Sequence, residues 1–167
     1  MVTPQYRVCP GCAARLPISE AHADGRYNAS PECRERYGEL SAYTVTRGGA
    51  GFIHQLAVDT YGAQHVGEHV RPITVAFALI GLHLACERGY SGRQVQHMHT
   101  LLAQRSKTWP QFAPPAYTGA MTVLDVVRAP PGEGRDIMLR RWGQSVWDAW
   151  SQEHERVRAL LESIMAD

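Results

Sequence analysis

The chain has 167 residues, enough for one domain with a core of its own. Apolar residues make up 44% and charged residues 20%, proportions ordinary for a soluble globular protein. A formal net charge of +1 gives no global pull toward nucleic acid or an anionic membrane, so neither is expected as a partner.

Taken in chain order, no apolar stretch follows a basic start, so no secretory signal is read and a reducing, cytoplasmic setting is expected. Residues 1–29 carry Pro, Gly, Ala and Asp without a sustained period and read as loops and turns that need an external staple. The stretch Ser30 to Cys33 is a helix start, with Ser30 as N-cap and Pro31 at the first helical position. That helix runs to about Thr46, where the glycines from Gly48 to Gly51 break it. A second helix covers Phe52 to His65, with Ile53, Leu56, Ala57 and Thr60 on one face. Pro72 begins a third, closed by Gly89. Its stripe of Thr74, Ala78, Gly81 and Ala85 lets another helix approach closely. The apolar run from Ile73 to Cys86 is too short to span a bilayer. Ser91 caps a fourth helix, and a Pro-rich loop follows from Thr108 to Gly119, where Trp109 and Tyr117 could cover a pocket. A short helix follows at Thr122 to Ala129. The last element is read as one helix from about Asp136 to Met165, roughly 45 Å long, with Trp142, Val146 and Trp150 inward. The fold expected is all-α: a single-domain bundle of five to six helices (residues 30–167) with a metal-stapled N-terminal loop (residues 1–29).

Three of the four cysteines, Cys9, Cys12 and Cys33, lie near the start, and Cys86 sits alone in the apolar run, as a small buried hydrophobe. Structural zinc wants four soft or borderline ligands. Cys9 and Cys12 have the spacing of one half-site, and Cys33 stands in the first turn of a helix, where the dipole favours a thiolate. His22 is the natural fourth ligand, giving C-x2-C-x9-H-x10-C, with Asp24 in reserve. The rival readings are a redox pair, which lacks its usual βαβ context, and cysteines with no common role.

Eight histidines are many for this length. On the second helix, His54, Val58, Tyr61 and His65 share a stripe, with Asp59 pointing elsewhere. His54, Asp59, Tyr61 and His65 are therefore the candidate catalytic group. His83 and Glu87 are one turn apart, and with His154 from the last helix they could complete a second metal site or a pocket. Each of these side chains could equally hydrogen-bond at a helix interface. His97 and His99 are read as surface residues.

The segments "CPGCAARLP", "YNASPECRERYGEL", "HQLAVDTYGAQH", "GLHLACERG" and "SVWDAWSQEHERVRALL", in that order, resemble a bacterial family known only as a domain of unknown function. The resemblance spans about residues 8 to 161. It implies a small cytoplasmic protein with no established activity, and carries over Cys9, Cys12, Cys33, His54, Asp59, Tyr61 and His65. A more distant analogy is to the DinB-like helical bundles, some of them metalloenzymes, whose ligand positions would suit His54 and His154.

The function expected is that of a zinc-binding helical protein that binds a small molecule or serves as an accessory. The alternative is an enzyme using a cross-helix His/Asp/Glu site in metal-assisted or acid–base chemistry.

Overall fold

The helices begin where the sequence supplies caps. In the computed structural model, which describes residues 5–22, 25–49 and 51–166, the Ser30 hydroxyl accepts from the Cys33 N–H over 3.2 Å and starts α1 (Pro31–Arg47). Helix α2 (His54–Gln64) begins without a side-chain cap. Helix α3 (Pro72–Arg88) starts on its proline and stops at Gly89, which takes the left-handed conformation at φ 66°. Capping boxes at Ser91 and Gln94, and at Thr122 and Asp125, open α4 (Gly92–Arg105) and α5 (Val123–Arg128). Helices α6 (Glu133–Ala149) and α7 (His154–Ala166) complete a set of seven among the described residues.

Two expectations need correction. The first concerns the N-terminal segment, which contains a hairpin rather than loops alone. Strand β1 (Tyr6–Val8) pairs antiparallel with β2 (Arg15–Pro17), in the register Arg7 to Leu16. Three-residue strands are too short for an alternating pattern to stand out. The second is the long last helix, which breaks at Trp150 into a 3-10 turn (Ser151–Glu153) before α7. The break lets the buried Trp150 indole donate its Nε1–H to the Ala63 carbonyl near the end of α2, over 3.1 Å.

Helix α2 is the centre of the bundle, in contact with α1, α3, α4 and α6. The small-residue stripe of α3 admits it: a Cβ on Gly62 would stand 3.3 Å from that of Ala78, and one on Gly81 would collide with the Asp59 carboxyl. Its polar side chains are bound in place. Gln64 donates to the carbonyls of Thr118 and Met121 at 3.0 and 2.7 Å and accepts from the Trp142 indole at 2.9 Å. No helix is long and apolar enough to cross a membrane, among the described residues.

Trp150 therefore holds both the broken end of α6 and the end of α2. Trp150→Ala is expected to cost about 3–5 kcal/mol in denaturant unfolding of the purified protein. A loss below about 1 kcal/mol, the level of an ordinary surface change, would show that the indole is not locked there.

Candidate metal centre

The Cys-Pro-Gly-Cys stretch forms the tip of the β1–β2 hairpin. The Cys9 N–H donates to the Ala14 carbonyl (2.8 Å) and the Ala13 N–H to the Cys9 carbonyl (2.9 Å), with Ala13 at φ 58°. This closes the turn and aims both thiols inward. Gly11 has a specific reason to lack a side chain, since a Cβ there would collide with the Asn28 carbonyl and the His65 ring. Thr118 also binds this turn, its hydroxyl donating to the Gly11 carbonyl over 2.8 Å.

Two further donors arrive from helix ends. Cys33 lies in the first turn of α1, and the Ser30 N–H beside it donates to Cys9 Sγ over 3.5 Å. His65 is the residue at which α2 stops. Its Nδ1 lies 2.9 Å from the Tyr61 carbonyl, which can only accept, so Nδ1 carries the proton and Nε2 presents its lone pair. That Nε2 stands 3.4 Å from Cys33 Sγ, and Cys33 Sγ stands 3.8 Å from Cys12 Sγ. The donor atoms of Cys9, Cys12, Cys33 and His65 all fall within 4.8 Å of one another, and all four residues are buried. Tetrahedral zinc, with Zn–S near ~2.3 Å and Zn–N near ~2.05 Å, sets S···S at about 3.8 Å and S···N at about 3.5 Å. The observed spacings fit.

Electrostatics divides the thiols sharply. Hydrogen bonds from Cys12 and then Cys33 drive Cys9 far below the ordinary thiol range, against burial. Cys33 pulls Cys12 down, but Cys9 and burial outweigh it and push Cys12 up to about 12. Its bonds to Cys12 and Cys9, with burial, push Cys33 up further. Three thiols packed this closely oppose one another's ionisation, and a dication would supply the charge that lets all three ionise.

The fourth place belongs to His65, not to His22. His22 is exposed, and Asp24 lies outside the described residues. Proximity in sequence favoured His22, whereas His65 arrives from the far end of α2. The local signal was present: a His at a helix end, one turn after a Tyr whose carbonyl can orient its ring. Tyr61 itself supports the site. Its ring stacks on His65 at 4.0 Å between centroids and on Tyr37 at 3.9 Å, and its hydroxyl lies 3.8 Å from Cys33 Sγ. The rest of the proposed catalytic group does not join them. His54 Nδ1 pairs with the Thr44 hydroxyl at 2.8 Å, and Asp59 takes a hydrogen bond from Gln55 at 3.0 Å. His99 also departs from expectation, for it is not a surface residue but stacks on Phe77 at 4.7 Å.

The chain belongs to a family of unknown function, DUF5946, whose model matches residues 7–151. Neither the curated proteins nor the solved structures give a match. The matched span holds all four candidate ligands together with His83 and Glu87, and it ends before His154 and Arg158. These last four residues nevertheless meet in space. Glu87 accepts from Arg158 (2.7 and 3.0 Å) and from the Trp147 indole (3.1 Å), with His83 Nδ1 at 3.0 Å and His154 Nδ1 at 3.8 Å. Both Glu87 oxygens are thus engaged, and His154 turns its Nε2–H to the Trp147 carbonyl at 2.9 Å. The group forms an ion-paired clasp between α3 and α7.

The Arg158 hydrogen bond holds the Glu87 carboxyl down at about 2, from an ordinary 4.5. A depressed carboxylate contributes stability that is fully present above the unfolded value and is lost as pH falls through the folded one. Wild-type stability should therefore drop between about pH 4.5 and 2 by more than that of Glu87→Gln, as read from denaturation midpoints across that window. Parallel curves for the two proteins would show that the clasp contributes nothing.

Proposed function

We propose that this chain is a zinc protein in which the metal is a structural staple, held by the thiolates of Cys9, Cys12 and Cys33 and by His65 Nε2. The observation that carries this reading is the His65 tautomer. A backbone carbonyl accepts from one ring nitrogen, so the other is left for three sulfurs that all lie within 4.8 Å, with Cys33 Sγ at 3.4 Å. Three thiolates and an imidazole favour zinc over hard cations. Four buried protein ligands leave no open position for a substrate, which separates a structural zinc from a catalytic one. The stapled bundle suits a binding or accessory role, with a small molecule as the expected ligand. The enzyme alternative has less support, because the Glu87 carboxylate on which it depends is already taken by Arg158 and Trp147.

Protein purified without chelator should carry one zinc per chain by elemental analysis. His65→Ala and Cys33→Ser should lose that metal and unfold at lower temperature, while His22→Ala keeps it. Because protons compete for the thiolates, acidification should release the metal. Absence of bound zinc, or full retention in His65→Ala, would overturn the assignment.

A further inference from the structure

Asp59 is a buried acidic side chain that neither the metal centre nor the ion-paired clasp uses. It is 4% exposed, at the crossing of α2 and α3. Its Oδ1 accepts from Gln55, and Oδ2 lies against Gly81, with no basic partner among the described residues. Burial pushes its carboxyl well above the ordinary range, with the Gln55 hydrogen bond pulling the other way. A carboxyl left in this state burdens the fold unless something arrives to match it.

Space for a match is present. A cavity of about 320 Å³ opens beside Asp59, walled by Tyr27, Val58, Ile73, Phe77 and His99, with Gln55 at its side. This lies at the small end of ligand pockets, roughly 300–1,000 Å³. The walls are apolar and aromatic, with Phe77 braced edge-on by Trp109 at 4.9 Å. Of the other charged and titratable groups nearby, the Arg34 guanidinium stands over the Tyr27 and Tyr37 rings, at 5.3 and 5.0 Å. Burial holds His99 down at about 4, so its ring is neutral at pH 7, with Nε2–H given to the Phe77 carbonyl over 3.0 Å. Burial keeps Tyr37 neutral, pushed up to about 12. Arg140 lines a separate cavity that shares Asp59 as a wall.

We propose that the cavity between Asp59 and Phe77 binds a small primary amine carried on an apolar or aromatic body. The ammonium donates to the Asp59 carboxylate, and Phe77 and Tyr27 wall the cavity around it. The apolar body fills the space toward Val58 and Ile73. This site uses none of the four metal ligands and stands whether or not the metal is zinc.

Benzylamine and its neutral analogue benzyl alcohol test it, titrated into the full, metal-loaded chain and followed by amide NMR shifts. The amine should bind at least tenfold more tightly than the alcohol and shift resonances around Asp59 and Phe77. Its affinity should climb with pH until Asp59 is ionised, because below that point binding must displace the Asp59 proton, whereas the alcohol shows no such slope. Asp59→Asn should erase the preference, and Thr74→Phe, which fills the same cavity, should abolish binding of both. Equal affinity for amine and alcohol in the wild type overturns the proposal. So does an amine preference that survives in Asp59→Asn, or shifts confined to another part of the molecule. If Asp59→Asn does not fold, the wild-type pair and Thr74→Phe still decide the question.

Discussion

The rest of the structure depends on one imidazole with two faces. Through Nδ1, His65 belongs to the last turn of α2; through Nε2, it belongs to the sulfurs of the hairpin and of α1. Nothing else fixes the hairpin so firmly. Its strands are three residues long, and a two-stranded ribbon of that size is marginal in water. Of its apolar side chains, Leu16 is buried while Tyr6 and Val8 are exposed, so apolar burial cannot hold it. The Arg7–Glu32 ion pair adds a tie to α1 at 3.0 Å, but Arg7 is exposed and the pair is weak by nature. The order of the N-terminal segment therefore rests on the thiol–imidazole cluster, and a metal bound there would couple its binding to folding.

The same constraint explains why a polar helix sits at the centre of the bundle. Helix α2 ends at the metal centre, so its carbonyls and side chains must stay in register with the cysteines. Neighbouring helices secure it with hydrogen bonds as well as packing. The Trp142 indole reaches Gln64, and the Trp150 indole reaches the Ala63 carbonyl. Helix α6 must stop at Trp150 to bring that second indole in, and the 3-10 turn follows from this demand.

How much of this was legible in the sequence varied with the range of the interaction. Helix starts were readable because caps are local: Ser30, Pro72, Ser91 and Thr122 stand within a turn of the N–H groups they serve or replace. The three cysteines were readable as a group because the chain brings them close within its first segments. The fourth ligand was not, because the choice between His22 and His65 depends on how α2 packs against the hairpin. The break at Trp150 was hidden for a similar reason. Apolar periodicity continues through the 3-10 turn, and only contact with α2 reveals the interruption. His97 and His99 stand two residues apart on opposite sides of a helix, so at most one can look inward, and nothing local says that it is His99, whose partner Phe77 comes from another helix.

Two acids in the bundle show how a fold treats a carboxyl it intends to neutralise and one it does not. Glu87 receives Arg158, the Trp147 indole and His83, and its carboxyl is held low. Asp59 receives one amide and is driven high. Burial alone does not account for the difference, since an arginine reaches Glu87 across the α3–α7 contact and none among the described residues pairs with Asp59. Nor is Asp59 merely accommodated at a loose spot. Gly81 clears the space against which its carboxyl lies, and any larger residue there would collide with it. A buried carboxyl set against a glycine, beside a cavity with aromatic walls and without a counter-charge among the described residues, has the features of a site arranged for a cation from outside the chain.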